Sequence, residues 1–205
     1  YDWEYDYKID YEKQKHSIDL YKLWNEKIFF LDKACELNVF KSTYFLLIDI
    51  GSFRNKNKLD EIKKYNFPSH NNFIKNKMSM FYWKFFNNEI IKNYNIIDSR
   101  FHQKNTEIST FTGGLFGGDK NSIYNFKSKY IDLLNYHKQH RIFSGKDQNI
   151  YNFLVLNNPE LINYIDSNMI NKDYDPWFCF HYYFSDYFIT NISILLPIYN
   201  NIEFE

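Results

Sequence analysis

Three short segments carry residues whose types and spacing suit chemistry on a polar ligand. The first is Asp49-Ile50-Gly51-Ser52-Phe53-Arg54, which grows out of the apolar run Tyr44-Phe45-Leu46-Leu47-Ile48. Such a run predicts a strand covered on both faces, and an ionised Asp near its carboxyl end is costly unless paired or bound to a cation. Asp49 therefore reads either as the partner of an interior Arg or Lys, or as a ligand for a hard divalent cation or a sugar hydroxyl. Arg54 suits a phosphate or carboxylate, which its guanidinium can bind with two parallel hydrogen bonds.

The second segment is Gly113-Gly114-Leu115-Phe116-Gly117-Gly118. It lies between an alternating stretch, Glu107 to Phe111, that predicts a strand, and a stretch with helical periodicity. A bare-backbone turn in that place can lie flat against a sugar or a pyrophosphate. Asp119-Lys120 follows the second glycine pair, so the segment is not a phosphate loop of the Walker kind, and it is not G-x-G-x-x-G. The third segment, Ser144-Gly145-Lys146-Asp147-Gln148-Asn149, opens a helix. The helix dipole favours a carboxylate in the first turn, so Asp147 stays ionised and suits the role of a base near neutral pH. A plain helix cap accounts for the same residues.

Glycine usage ties the three together. The chain has 6 glycines, and all of them fall at Gly51, in the second segment, or at Gly145; other turns are made with Asn, Asp, Ser and Pro. Glycine is required where φ is positive or where something must approach the backbone closely. Any one of these segments is also what an ordinary tight turn requires; the three together predict a shared ligand site.

The elements that must position them read as strands alternating with helices, which predicts a single layered α/β domain. Tyr21, Trp24, Ile28, Leu31 and Cys35 recur at steps of three and four behind the N-cap candidate Ser17. Ile123, Phe126, Tyr130, Leu133, Leu134 and either Tyr136 or His137 share a second helical face, and residues 147–157 form a third helix closed by Pro159. A short helix runs from Leu59 to Tyr65, and Ile192 to Leu196 reads as a strand. The aromatic stretch 71–92 fits strand or helix, and residues 1–15 read as a leader packed on the domain.

Composition excludes several classes. Lys plus Arg and Asp plus Glu are 25 each, so the chain lacks the cationic excess of a protein built to coat nucleic acid. Aromatic residues reach 21%, too much apolar surface for a disordered chain. No apolar run is long enough to cross a membrane. Cys35 and Cys179 cannot build a disulfide framework and read as buried thiols, which points weakly to a reducing, cytoplasmic setting despite the sequon Asn191-Ile192-Ser193. None of the six histidines falls in a metal-binding spacing, so all read as surface or packing residues.

The segments Leu23-Trp24-Asn25-Glu26-Lys27, Phe45 to Arg54, Gly113 to Gly118 and Gly145 to Asn149, with Asp175-Pro176-Trp177-Phe178, resemble the WlaTC/HtrL (YibB) group of glycosyltransferases. The resemblance implies a glycosyltransferase A, Rossmann-like fold with a mixed, mostly parallel sheet flanked by helices. It also implies transfer from a nucleotide sugar, such as a UDP-sugar, to a glycan or other hydroxyl acceptor, with Mn²⁺ or Mg²⁺ as a candidate cofactor. It carries Asp49 to the metal or donor position and Asp147 to the catalytic carboxylate. Gly51, Arg54, Gly113, Gly114, Gly117, Gly118, Lys146, Gln148 and Trp177 go to donor and substrate binding. The D-x-D of that fold is here Asp49-Ile50-Gly51, one carboxylate short. A first nucleotide-binding strand has no counterpart after Tyr1, so residues 1–205 read as one such domain lacking part of its N-terminal region. The rivals are a non-catalytic carbohydrate-binding or scaffold domain on the same fold, and a nucleotidyl or phosphoryl transferase.

Overall fold

The computed structural model describes residues 1–53, 56–83, 111–170 and 180–186. Their order is α1 (Trp3–Ile9), α2 (Ile18–Leu37), β1 (Tyr44–Ile48), a 3₁₀ turn (Ile50–Phe53), α3 (Lys56–Lys63), β2 (Met78–Tyr82), β3 (Phe111–Asp119), α4 (Lys120–His140), α5 (Asp147–Asn157), a second 3₁₀ turn (Pro159–Leu161), β4 (Ile162–Asp166), α6 (Ser167–Ile170) and α7 (Phe180–Tyr183). The expected strand at Ile192 to Leu196, residues 107–110 of the expected strand ending at Phe111, and Arg54, Trp177 and Cys179 lie outside the described residues.

The long helices form where the periodicity places them. Ser17 caps α2 by accepting the Leu20 N–H at 3.2 Å, and Asp119 caps α4 by accepting the Ser122 N–H at 2.8 Å. Of the predicted stripe on α2, Tyr21, Ile28, Leu31 and Cys35 are buried and Trp24 is half-buried, and on α4 the inward residue beyond Leu134 is His137 rather than Tyr136. The leader segment contains a helix of its own, α1.

The sheet has the order β1-β3-β2-β4. β3 runs antiparallel to both of its neighbours, and β4 pairs with β2 in parallel. Two of the three pairings are thus antiparallel, which corrects the expectation of a mostly parallel sheet. The α/β layering itself holds. On one face Met78, Met80, Phe111 and Phe116 pack with α2, α4 and α5 residues such as Ile28, Phe126 and Tyr151. On the other, Phe81, Leu115 and Ile165 pack with Ile170, Phe180, Tyr182 and Phe184.

One further expectation holds and one is corrected. β1 is covered on both faces, as expected, although it is half-buried along its whole length and is a terminal strand of the described sheet. Its apolar side chains meet one cluster each side, Leu47 one and Leu46 and Ile48 the other, but its outer edge has no described strand beside it. The glycine-rich segment is not a turn between strand and helix; it is the body of β3.

No described glycine has positive φ, so close approach is the reason for Gly113, Gly117 and Gly118, while Gly114 has no such neighbour. A Cβ on Gly117 would collide with the Phe45 carbonyl oxygen, and one on Gly118 with the Ser122 hydroxyl and, at 2.9 Å, the Lys77 carbonyl oxygen. These two glycines let β1 and α4 close onto β3, a packing role that accounts for their bare backbone. Gly145 serves aromatic packing in the same way, since a Cβ there would lie 2.8 Å from the Phe143 ring and 2.9 Å from the Tyr21 ring.

The glycines therefore separate by experiment. Gly117→Ala is expected to cost about 3 kcal/mol, the upper end for overpacking a tight interior. Gly114→Ala, whose new Cβ would meet only Asp49 Cβ at 3.8 Å, is expected to stay within about 0.5 kcal/mol of the parent. Urea denaturation of the two variants checks the contrast.

Candidate functional site

Because β1, β2 and β4 point the same way, their carboxyl ends share one edge of the sheet with the amino end of β3. Ligands of open α/β sheets gather at such an edge. Asp49 leaves β1 there and α5 begins there with Asp147.

At this edge β3 is distorted. Two steps along β2, from Met80 to Tyr82, are matched by five along β3, from Phe116 to Phe111. The extra residues include Gly113 and Gly114, and a bulge of this kind re-aims the backbone beside it. β1 still follows the strand through the bulge: Ile48 pairs with Leu115, and the Asp49 N–H donates to the Gly114 carbonyl at 2.7 Å.

Asp147 packs on the other glycine. A Cβ on Gly113 would lie 2.9 Å from Asp147 Oδ2 and 3.1 Å from Oδ1. The missing side chain of Gly113 thus leaves the space that the carboxylate fills. Lys27, from α2, completes the group: its Nζ donates to Asp147 Oδ2 at 2.9 Å and to the Gly113 carbonyl at 2.8 Å. Asp147 Oδ1 accepts the Gln148 N–H at 2.9 Å, and Gln148 Nε2 donates to the Phe111 carbonyl at 2.6 Å, fastening the start of α5 to the start of β3. Asp49 and Asp147 therefore flank the same dipeptide, Gly113-Gly114, and the three segments expected to share a site do meet.

The two carboxylates differ in environment. Asp49 is exposed, and among the described residues its partner is the Gly51 N–H, which donates to Oδ1 at 2.9 Å. The expected costly interior carboxylate is thus corrected: β1 is a terminal strand of the described sheet, and Asp49 is exposed. Asp147 is 4% exposed. Burial pushes its carboxyl above the usual carboxylate range, and the Lys27 ammonium pulls it back toward ionisation. A carboxylate whose proton affinity is raised by burial is, when ionised, a stronger base than a solvated one.

The other expected residues take varied places. Lys146 forms an ion pair with Glu12 of the leader segment. Gly51 turns the chain after Asp49, while Gly117 and Gly118 belong to packing, as above. Among the described residues no three His, Cys, Asp or Glu side chains gather into a metal-binding group. A third carboxylate at the same edge, Asp166, stands at the end of β4, across three strand spacings of roughly 14 Å from β1, and accepts from Asn168 within its own turn. Lys27 was not singled out from the sequence as a site residue. Its signal is the pair Asn25-Lys27 beside the apolar stripe of α2: Asn25, 3% exposed, is polar at a core position, and a buried polar residue marks a face that meets more than hydrocarbon.

No family model, curated protein or solved structure matches the chain.

The Lys27–Asp147 pair has a measurable signature. Removing either charge strands the other in a dry site, so Lys27→Met and Asp147→Asn are each expected to cost about 3–5 kcal/mol. The double variant is expected to lose less than the sum by at least about 1 kcal/mol, a coupling that a denaturant double-mutant cycle reads directly.

Proposed function

We propose that the chain is a glycosyltransferase that moves a sugar from a nucleotide-sugar donor to a hydroxyl acceptor. The observation that supports this reading is the meeting of Asp49, Gly113-Gly114 and Asp147 at the carboxyl edge of the sheet, with Lys27 bound to both Gly113 and Asp147. Asp147 would take the proton of the acceptor hydroxyl as that oxygen attacks the anomeric carbon of the donor. The bond from that carbon to the diphosphate breaks as the new glycosidic bond forms, through an oxocarbenium-like sugar. Lys27 keeps Asp147 ionised until the acceptor hydroxyl displaces part of its hydrogen bonding.

The leaving diphosphate carries growing negative charge. The exposed Asp49 is the residue that would hold a Mn²⁺ or Mg²⁺ ion, and such an ion would offset that charge. The second reading, a carbohydrate-binding domain that does not transfer, is favoured by one feature: Asp147 is already bound by Lys27 and nearly closed to solvent.

A thermal-shift panel of nucleotide sugars, with and without Mn²⁺, is expected to show stabilisation by at least one UDP-sugar. Once a donor is found, Asp147→Asn is expected to lower transfer by a hundredfold or more, on the usual worth of a general base, while donor affinity stays within a few fold. Donor binding without turnover in the parent chain would favour the binding-domain reading instead, and a panel with no shift would remove the glycosyltransfer reading and leave the carbohydrate-binding or scaffold one.

A further inference from the structure

The loop before Asp147 is gripped from outside the sheet by the first residues of the chain. Asp6 of α1 is 1% exposed, and its Oδ1 accepts the Ser144 N–H at 2.6 Å. Glu12 pairs with Lys146, one residue before Asp147. Tyr5 donates its hydroxyl to the Arg141 carbonyl at 3.2 Å, and the Arg141 guanidinium lies over the Tyr5 ring. The segment is fastened in turn to α2, where Asp10 accepts the Tyr21 hydroxyl at 2.5 Å and pairs with His16 at 2.7 Å. Beneath the loop, Asn25 donates to the Ser144 and Gly145 carbonyls at 3.1 and 3.3 Å and accepts from Tyr130.

We propose that residues 1–16 are a strap on the loop that seats Asp147, with Asp6 as its positioning residue and the charge on Asp6 setting how firmly it holds. Among the described residues the groups facing Asp6 are few. Its own segment supplies Tyr1 and the like charge of Asp2; α2 supplies Tyr21, beyond which lies Asp10. The loop supplies the Ser144 and Gly145 amides, with His137 of α4 behind the Ser144 hydroxyl at 3.0 Å, while Lys146 is taken by Glu12 and Arg141 lies over Tyr5. None of these places a cation on Asp6. Burial accordingly raises its carboxyl to about 6, against 3.8 for the free side chain. With the strapped value raised, the hold is full below the free value and is lost as pH rises through the strapped one. The loosening therefore falls between about pH 4 and pH 6 and levels off above that.

Amide hydrogen exchange on the full chain, read by NMR at Ser144 and Gly145 and corrected for intrinsic rates, tests this without a substrate. Protection at these two amides is expected to fall tenfold or more between pH 4.5 and 6.5, on a shift of about two units, while core amides of β3 stay flat. Asp6→Asn, neutral at every pH, is expected to abolish that dependence. Glu12→Gln is expected to lower protection at all pH values and leave the pH slope in place. A flat profile in the parent chain, or the same slope in Asp6→Asn, would overturn the proposal. What the strap means for activity rests on the glycosyltransfer reading, but exchange does not: a chain that binds no nucleotide sugar and still shows the slope loses its proposed function and keeps its strap.

Discussion

The arrangement of the molecule depends on one buried ion pair. Lys27 and Asp147 come from helices on the same face of the sheet, and the lysine also holds a carbonyl of the strand between them. In a site from which water is largely excluded, each charge is costly alone and tolerable only beside the other. The pair therefore dictates that α2, β3 and the start of α5 converge within a single side-chain length. Gly113 is the geometric condition for this, since any larger residue would press on the carboxylate.

The four β3 glycines divide into two uses along nine residues of one strand. Gly117 and Gly118 admit a neighbouring strand and helix at a distance no side chain allows. Gly113 and Gly114 lie in a bulge, where the bare backbone of Gly113 meets the Asp147 carboxylate and the Gly114 carbonyl accepts the Asp49 N–H. One strand thus serves as a packing seam at its carboxyl end and as the floor of the candidate site at its amino end.

Much of the helical framework was legible in the sequence, because Ser17, the Tyr21-to-Cys35 stripe and the Ile123-to-Tyr130 face obey a period that burial enforces. The convergence of the three glycine-bearing segments was legible too. The direction of the sheet was not: pairing partners lie far apart in sequence, and the antiparallel course of β3 leaves no local mark. β4 was missed because Ile162-Asn163-Tyr164-Ile165-Asp166 is short and mixes polar with apolar residues on both faces. The packing role of Gly117 and Gly118 was not legible, because close packing and ligand approach demand the same bare backbone and only three-dimensional neighbours show the packing. Lys27 escaped because a lysine at the border of an amphipathic helix is ordinary, and its partner stands 120 residues away.

That separation has a kinetic consequence. The site is closed by contacts spanning 86 residues, from Lys27 to Gly113, and 120 residues, from Lys27 to Asp147. Each such closure spends chain entropy before any contact repays it. The helices can begin forming from local interactions, but the polar centre cannot exist until the distant parts of the polypeptide have been brought into register. On a growing ribosomal chain, the lysine emerges long before its carboxylate partner and stays solvated until α5 has been synthesised.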